Sequence, residues 1–201
     1  MSKKLIYSLI CLFHITLTSQ LQAQYPAQVK AALKLSGDNK KELQQALQKA
    51  PKQQKDAIVF LISNMPERDL KSLNADFILE NTNLAFTAKE KYAWCKNLPD
   101  SIFYNEVLPY VSLNETRENW RADFFKRFSP LVQSCTTITQ AIDSINKNIR
   151  KIVKVEYNTK RRKADQSPGE SIEQGMASCT GLSILLVDAF RAVGIPARLA
   201  G

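Results

Sequence analysis

Apolar residues recur at helical spacing through most of this chain. Ile138, Ala141, Ile142, Ile145, Ile149 and Ile152 trace one face of a helix starting at Thr137, after which Val153 to Tyr157 turns extended. Leu182, Leu185, Leu186, Ala189, Phe190 and Val193 trace a second helix. Gly194 offers that helix a left-handed stop and Pro196 forbids its continuation, so it starts close to Cys179. Upstream, Asp38 is expected to cap a helix through Leu47, Pro51 to sit in the first turn of another through Ile62, and Pro66 to open a third. Two longer helices are expected over 74–96 and 116–132. Phe77, Leu84, Trp94, Trp120, Phe124, Phe125 and Phe128 supply their bulk.

The first residues read as a targeting segment. Lys3 and Lys4 form a positive start, 5–17 is apolar, and Ala23 before Gln24 offers a small residue for cleavage. The run is short for a bilayer span and no later stretch is longer, so the expectation is a soluble product, exported to the periplasm or medium. Ile10 ahead of Cys11 argues against a lipidated cysteine. Loss of residues 1–23 removes two lysines and no acids, taking the formal charge from +9 to +7. That balance favours anionic surfaces in general and names no ligand. The densest basic run, Lys160 to Lys163, has no interleaved aromatics. It reads as a solvated loop between a strand and a Ser/Pro/Gly loop, and no specific nucleic-acid partner is expected.

Candidate chemistry concentrates at Cys179. At the start of a helix, unpaired N–H groups and the positive end of the dipole favour thiolate over thiol. Its backbone N–H is free to meet an oxyanion, and Ser178 reads as the helix cap. The plain alternative is a buried cysteine packing as a small hydrophobe. After cleavage three cysteines remain. If Cys95 and Cys135 form a bridge, Cys179 is the odd free thiol; equally, both can be core residues of separate helices. Asp188 lies too far along the helix to orient a base beside the thiol. Three spaced cysteines and no histidine other than His14 give no metal-ligand spacing. Gly169, Gly175 and Gly181 do not form a phosphate-cradling loop, and no cofactor is expected.

Cys179, the apolar helix behind it and the segment 190–198 (FRAVGIPAR) resemble the nucleophile region of the transglutaminase-like superfamily. The resemblance covers residues 166–201. It implies an α+β, papain-type core in which a Cys-His-Asp triad is completed by later strands of an antiparallel sheet. Here only the helical N-terminal part and the nucleophile helix are expected, so the chain is mostly α. A weaker likeness to secreted bacterial members of the superfamily lies in 104–110 (YNEVLPY), Asn114-Glu115 and Trp120-Arg121. The implied organisation is a signal peptide over 1–23, a helical N-terminal domain over 24–132, and the start of the transglutaminase-like domain over 133–201.

By the same resemblance Cys179 is the nucleophile, and Gln174, five residues earlier, is a candidate oxyanion contact. Arg198 is a candidate partner for a carboxylate. The implied activity is hydrolysis or acyl transfer at a peptide, protein or glycopeptide amide through a thioester, with His and Asp expected beyond Gly201 and the 201-residue piece inactive alone. The alternative is a non-catalytic transglutaminase-like binding module at the cell envelope. A third class is a basic surface-binding protein whose helical region does the work.

Overall fold

A computed structural model of the chain describes residues 25–200, so the expected signal peptide lies outside the described residues. Helices dominate, as α1 (Ala27–Leu35), α2 (Lys40–Lys49), α3 (Lys55–Asn64), α4 (Glu67–Leu70), α5 (Ala75–Lys91), α6 (Ala93–Lys96), α7 (Asp100–Ile102), α8 (Trp120–Val132), α9 (Ile138–Val153), α10 (Pro168–Gln174) and α11 (Cys179–Ala192). A π-helical turn, Phe103–Val107, continues α7. Two strands of two residues, β1 (Glu156–Tyr157) and β2 (Met176–Ala177), pair in parallel. The fold is mostly helical with two short strands, as expected.

Local chemistry explains most boundaries. Thr137 accepts from the Gln140 amide while the Gln140 side chain reaches back to the Thr137 amide, a reciprocal capping box that starts α9. Asn74 caps α5 by accepting from Phe77 N–H at 2.8 Å. The expected helix over 74–96 is interrupted at Tyr92, whose extended backbone separates α5 from α6. Asp38 does not cap α2. It lies inside a 3-10 turn, Gly37–Asn39, and the Asn39 side chain instead donates to the carbonyls of Leu70 and Leu73. The helix expected from Thr116 begins at Trp120, because Thr116, Arg117 and Glu118 turn their side chains to other parts of the chain. The Ser/Pro/Gly stretch is no loop: Ser167 caps α10, forms a capping box with Glu170, and leaves Pro168 at the first helical position.

One contiguous core runs from Val29 to Ile195, with Phe103, Phe124, Phe128, Ile145 and Leu185 fully buried within it. The boundary expected at residue 132 falls at the end of α8, and the core continues across it. Trp94 Nε1 donates to the Val193 carbonyl at 3.0 Å, and Gly194, at φ +73°, lies so close to Cys95 that a Cβ there would stand 2.7 Å from the Cys95 Cβ. The glycine after α11 therefore serves both the backbone reversal and the close approach.

Candidate functional site

Cys179 is exposed and is the first residue of α11. The chain reaches it through a short, heavily fastened segment. Gly175, at φ +63°, ends α10 and releases the chain into β2, where Met176 and Ala177 pair with Glu156 and Tyr157. The Glu156 amide donates to the Gly175 carbonyl at 3.2 Å, and the Asn158 amide to the Ala177 carbonyl at 2.9 Å. Ser178 is extended. Its Oγ accepts from Gly181 N–H at 3.0 Å and donates to the Ala164 carbonyl, so the cap of α11 is itself tied to the loop before α10. Buried Gln166 donates from Nε2 to the Met176 carbonyl at 3.2 Å. Residues 176 to 178 are thus held from two sides, while the thiol stands clear of them. First-turn amides such as those of Cys179 and Thr180 have no acceptor within their own helix, which leaves them as free donors.

Gln174 closes α10. Its Oε1 accepts from the Arg162 amide at 3.2 Å and its Nε2 donates to the Glu170 carbonyl at 3.1 Å, so both ends of the amide are engaged within this segment. Arg198 reaches the Glu106 carboxylate at 3.4 Å from a largely exposed position. Cys95 is buried, Cys135 is partly buried, and both are free thiols rather than a bridge. Burial pushes the Cys95 thiol up to about 11, an effect that Lys89 and Arg121 partly offset.

Along α11, a mainly apolar cleft of about 500 Å³ is walled by Ile149, Val153, Tyr157, Leu182, Leu185 and Leu186, with Asn146, Arg150 and Glu156 at its polar edge. Leu182 and Leu186 lie on the helical face that also carries Cys179, one turn towards the start of α11.

Behind α11 lies a buried charge cluster. Arg121 of α8, Arg191 and Asp188 are each no more than 3 % exposed. Arg191 donates from Nε to the carbonyls of Glu106 and Ala197 and from Nη1 to the Val111 carbonyl and Ser112 Oγ, fastening the exit of α11 to the segment after the π-helical turn. Neither carboxylate oxygen of Asp188 has a hydrogen-bond partner among the described residues. Burial therefore holds its carboxyl well above the usual carboxylate range, against the pull of Arg191 and Arg121. The native state binds that proton more tightly than the unfolded chain. Its contribution to stability is full below the unfolded value of about 3.9 and is lost as pH rises toward the folded value. Asp188→Asn, which stays uncharged at every pH as the protonated acid does, is expected to remove this pH dependence, of at most about 1.4 kcal/mol per pH unit for one proton. Urea midpoints of wild type and variant, measured from pH 4 upward, should therefore converge at the acid end and separate at neutrality; parallel curves would refute it.

The cluster and the engaged Gln166 were not foreseeable from periodicity, since a charged residue on a helix ordinarily faces water. No curated protein and no solved structure matches the chain. A family model described as the transglutaminase-like superfamily matches residues 127–201. The match starts within α8 and takes in α9, both strands, α10 and the helix headed by the exposed thiol, so it is this C-terminal segment that is similar to the transglutaminase-like superfamily.

Proposed function

We propose that Cys179 is the nucleophile of an exported cysteine hydrolase or acyltransferase acting on a peptide, protein or glycopeptide amide. The observation that supports this most is an exposed cysteine at the first residue of α11, inside the segment that matches the superfamily. In the proposed reaction the thiolate sulfur bonds to the amide carbonyl carbon, giving a tetrahedral oxyanion that the first-turn amides of α11 can meet. The C–N bond then breaks, the amine leaves with a proton from a general acid, and the thioester passes its acyl group to water or to a second amine. Water is the default acceptor, because nothing in the described residues builds an amine site.

The described residues contain no histidine, the one in the chain being His14. The superfamily resemblance supports assigning the base and its orienting acid to strands that follow Gly201. The lysines and apolar run of residues 3–17 support export.

Brief alkylation with iodoacetamide followed by peptide mapping tests the nucleophile. Cys179 is expected to react first, Cys135 later and Cys95 last, in line with their exposure and the raised Cys95 thiol. In the intact protein, Cys179→Ala is expected to abolish amide turnover while the fold persists. Protection of Cys179, or labelling of all three at one rate, would return the reading to a non-catalytic binding module.

A further inference from the structure

We infer that Glu118 is a positioning residue for Cys179, an inference that rests on the nucleophile reading above. Glu118 stands in the segment ahead of α8, roughly fifty residues upstream of the part of the chain it fastens. Its Oε1 accepts from the Gly169 amide at 2.6 Å and its Oε2 accepts from Ser167 Oγ at 3.0 Å. Both partners belong to the start of α10. A Cβ on residue 169 would stand 2.6 Å from Glu118 Oε2, so only glycine lets the carboxylate approach this closely.

The neighbouring contacts show what the grip accomplishes. Glu170, already engaged with the Ser167 amide, also accepts from Thr116 Oγ1 at 2.9 Å and pairs with Lys163 at 3.0 Å. Residues 116 and 118 therefore hold the 163–170 stretch through two carboxylates. That stretch in turn holds the approach to the thiol: Gln166 donates to the Met176 carbonyl, and the Ala164 carbonyl accepts from Ser178 Oγ, the cap of α11. A continuous path of hydrogen bonds and short covalent links runs from Glu118 through Ser167 and Gly169 to residues 176 and 178, on either side of Ala177. Glu118 itself does not touch the thiol. Its effect is to fix where α11 starts, and hence how tightly the first-turn amides and the dipole are presented at Cys179.

The experiment measures the second-order rate of Cys179 alkylation by iodoacetamide as a function of pH, with Cys135 as internal reference and the urea midpoint in parallel. Glu118→Ala is expected to slow Cys179 by about threefold or more and to move its pH–rate curve upward, leaving the Cys135 rate in place. Glu118→Gln, whose amide oxygen can still accept from Gly169, is expected to restore most of the rate. Gly169→Ala displaces the carboxylate from the opposite side and is expected to reproduce the alanine variant; it carries the test if Glu118→Ala does not fold. A Cys179 rate and curve unchanged in the folded variants, or slowed only in step with Cys135, would overturn the role of Glu118. A wild-type Cys179 no faster than Cys135 would instead count against the nucleophile reading, and leaves the comparison between variants standing.

Discussion

Arg121→Met is expected to destabilise the protein by about 3–5 kcal/mol, read as a fall in the urea midpoint. Arg121 is 2 % exposed, and each of its three side-chain nitrogens donates. Nε donates to Asn81 Oδ1 at 2.8 Å and Nη1 to the Arg191 carbonyl at 3.1 Å. Nη2 meets the carbonyls of Val107, Leu108 and Pro109 at 3.0–3.2 Å. Methionine fills comparable space but strands those acceptors inside the core, and Asp188 loses one of two nearby cations. Burial pulls the Arg121 guanidinium down to about 9, aided by the like charge of Arg191 and opposed by Asp188. Arg121→Lys is expected to recover only a minor part, since an ammonium cannot fork to carbonyls on several sides. A loss below about 1 kcal/mol for Arg121→Met, the scale of an ordinary surface contact, would mean that the guanidinium is not what holds this junction.

Residues 127–201 by themselves, the stretch that matches the superfamily, are expected to remain unfolded. Such a peptide lacks Trp94, whose indole meets Val193, and Cys95, against which Gly194 packs. It also lacks the Glu106 and Val111 carbonyls that receive Arg191, and the Phe124 ring that fills the core beside Phe128. Buried residues of α11 such as Ile184, Ala189 and Ala192 would be left with a fraction of their packing. A chain that short has little apolar area to offset its conformational entropy even when complete. Circular dichroism and limited proteolysis distinguish the outcomes. A cooperative thermal transition from the isolated segment would show that the N-terminal helices are dispensable to it.

The elements readable in advance were those whose signals are local. The isoleucine stripe and Thr137 mark α9, and Gly194 with Pro196 marks the end of α11, because capping and periodicity act within a few residues. Ser167-Pro168-Gly169-Glu170 carried the same kind of signal, a capping box with proline at the first position, yet the turn-forming composition suggested a loop. What local reading cannot reach is the destination of a polar side chain. Arg121, Arg191 and Asp188 look like ordinary helix-surface residues until α8 is laid on α11. Glu118 looks like helix sequence until Gly169 and Ser167 are brought beside it. The position of Cys179 at a helix start was legible from spacing alone. The clamp around it was not: Ala164 and Gln166 sit close by in sequence, but Glu118 enters only through tertiary structure.

The indole of Trp94 and the carbonyl it meets are 99 positions apart, and Arg191 meets the Glu106 carbonyl across 85. Contacts of that span close large loops, whose entropy is lost before the contacts repay it, and they place the thiol helix late in the order of assembly. Synthesis runs in the same direction, with the receiving groups emerging long before α11 does. The scaffold can therefore be ready when the cysteine arrives, and the thiol gains its fixed surroundings only once these distant groups meet α11. Until that moment it is an ordinary side chain on an unsettled segment.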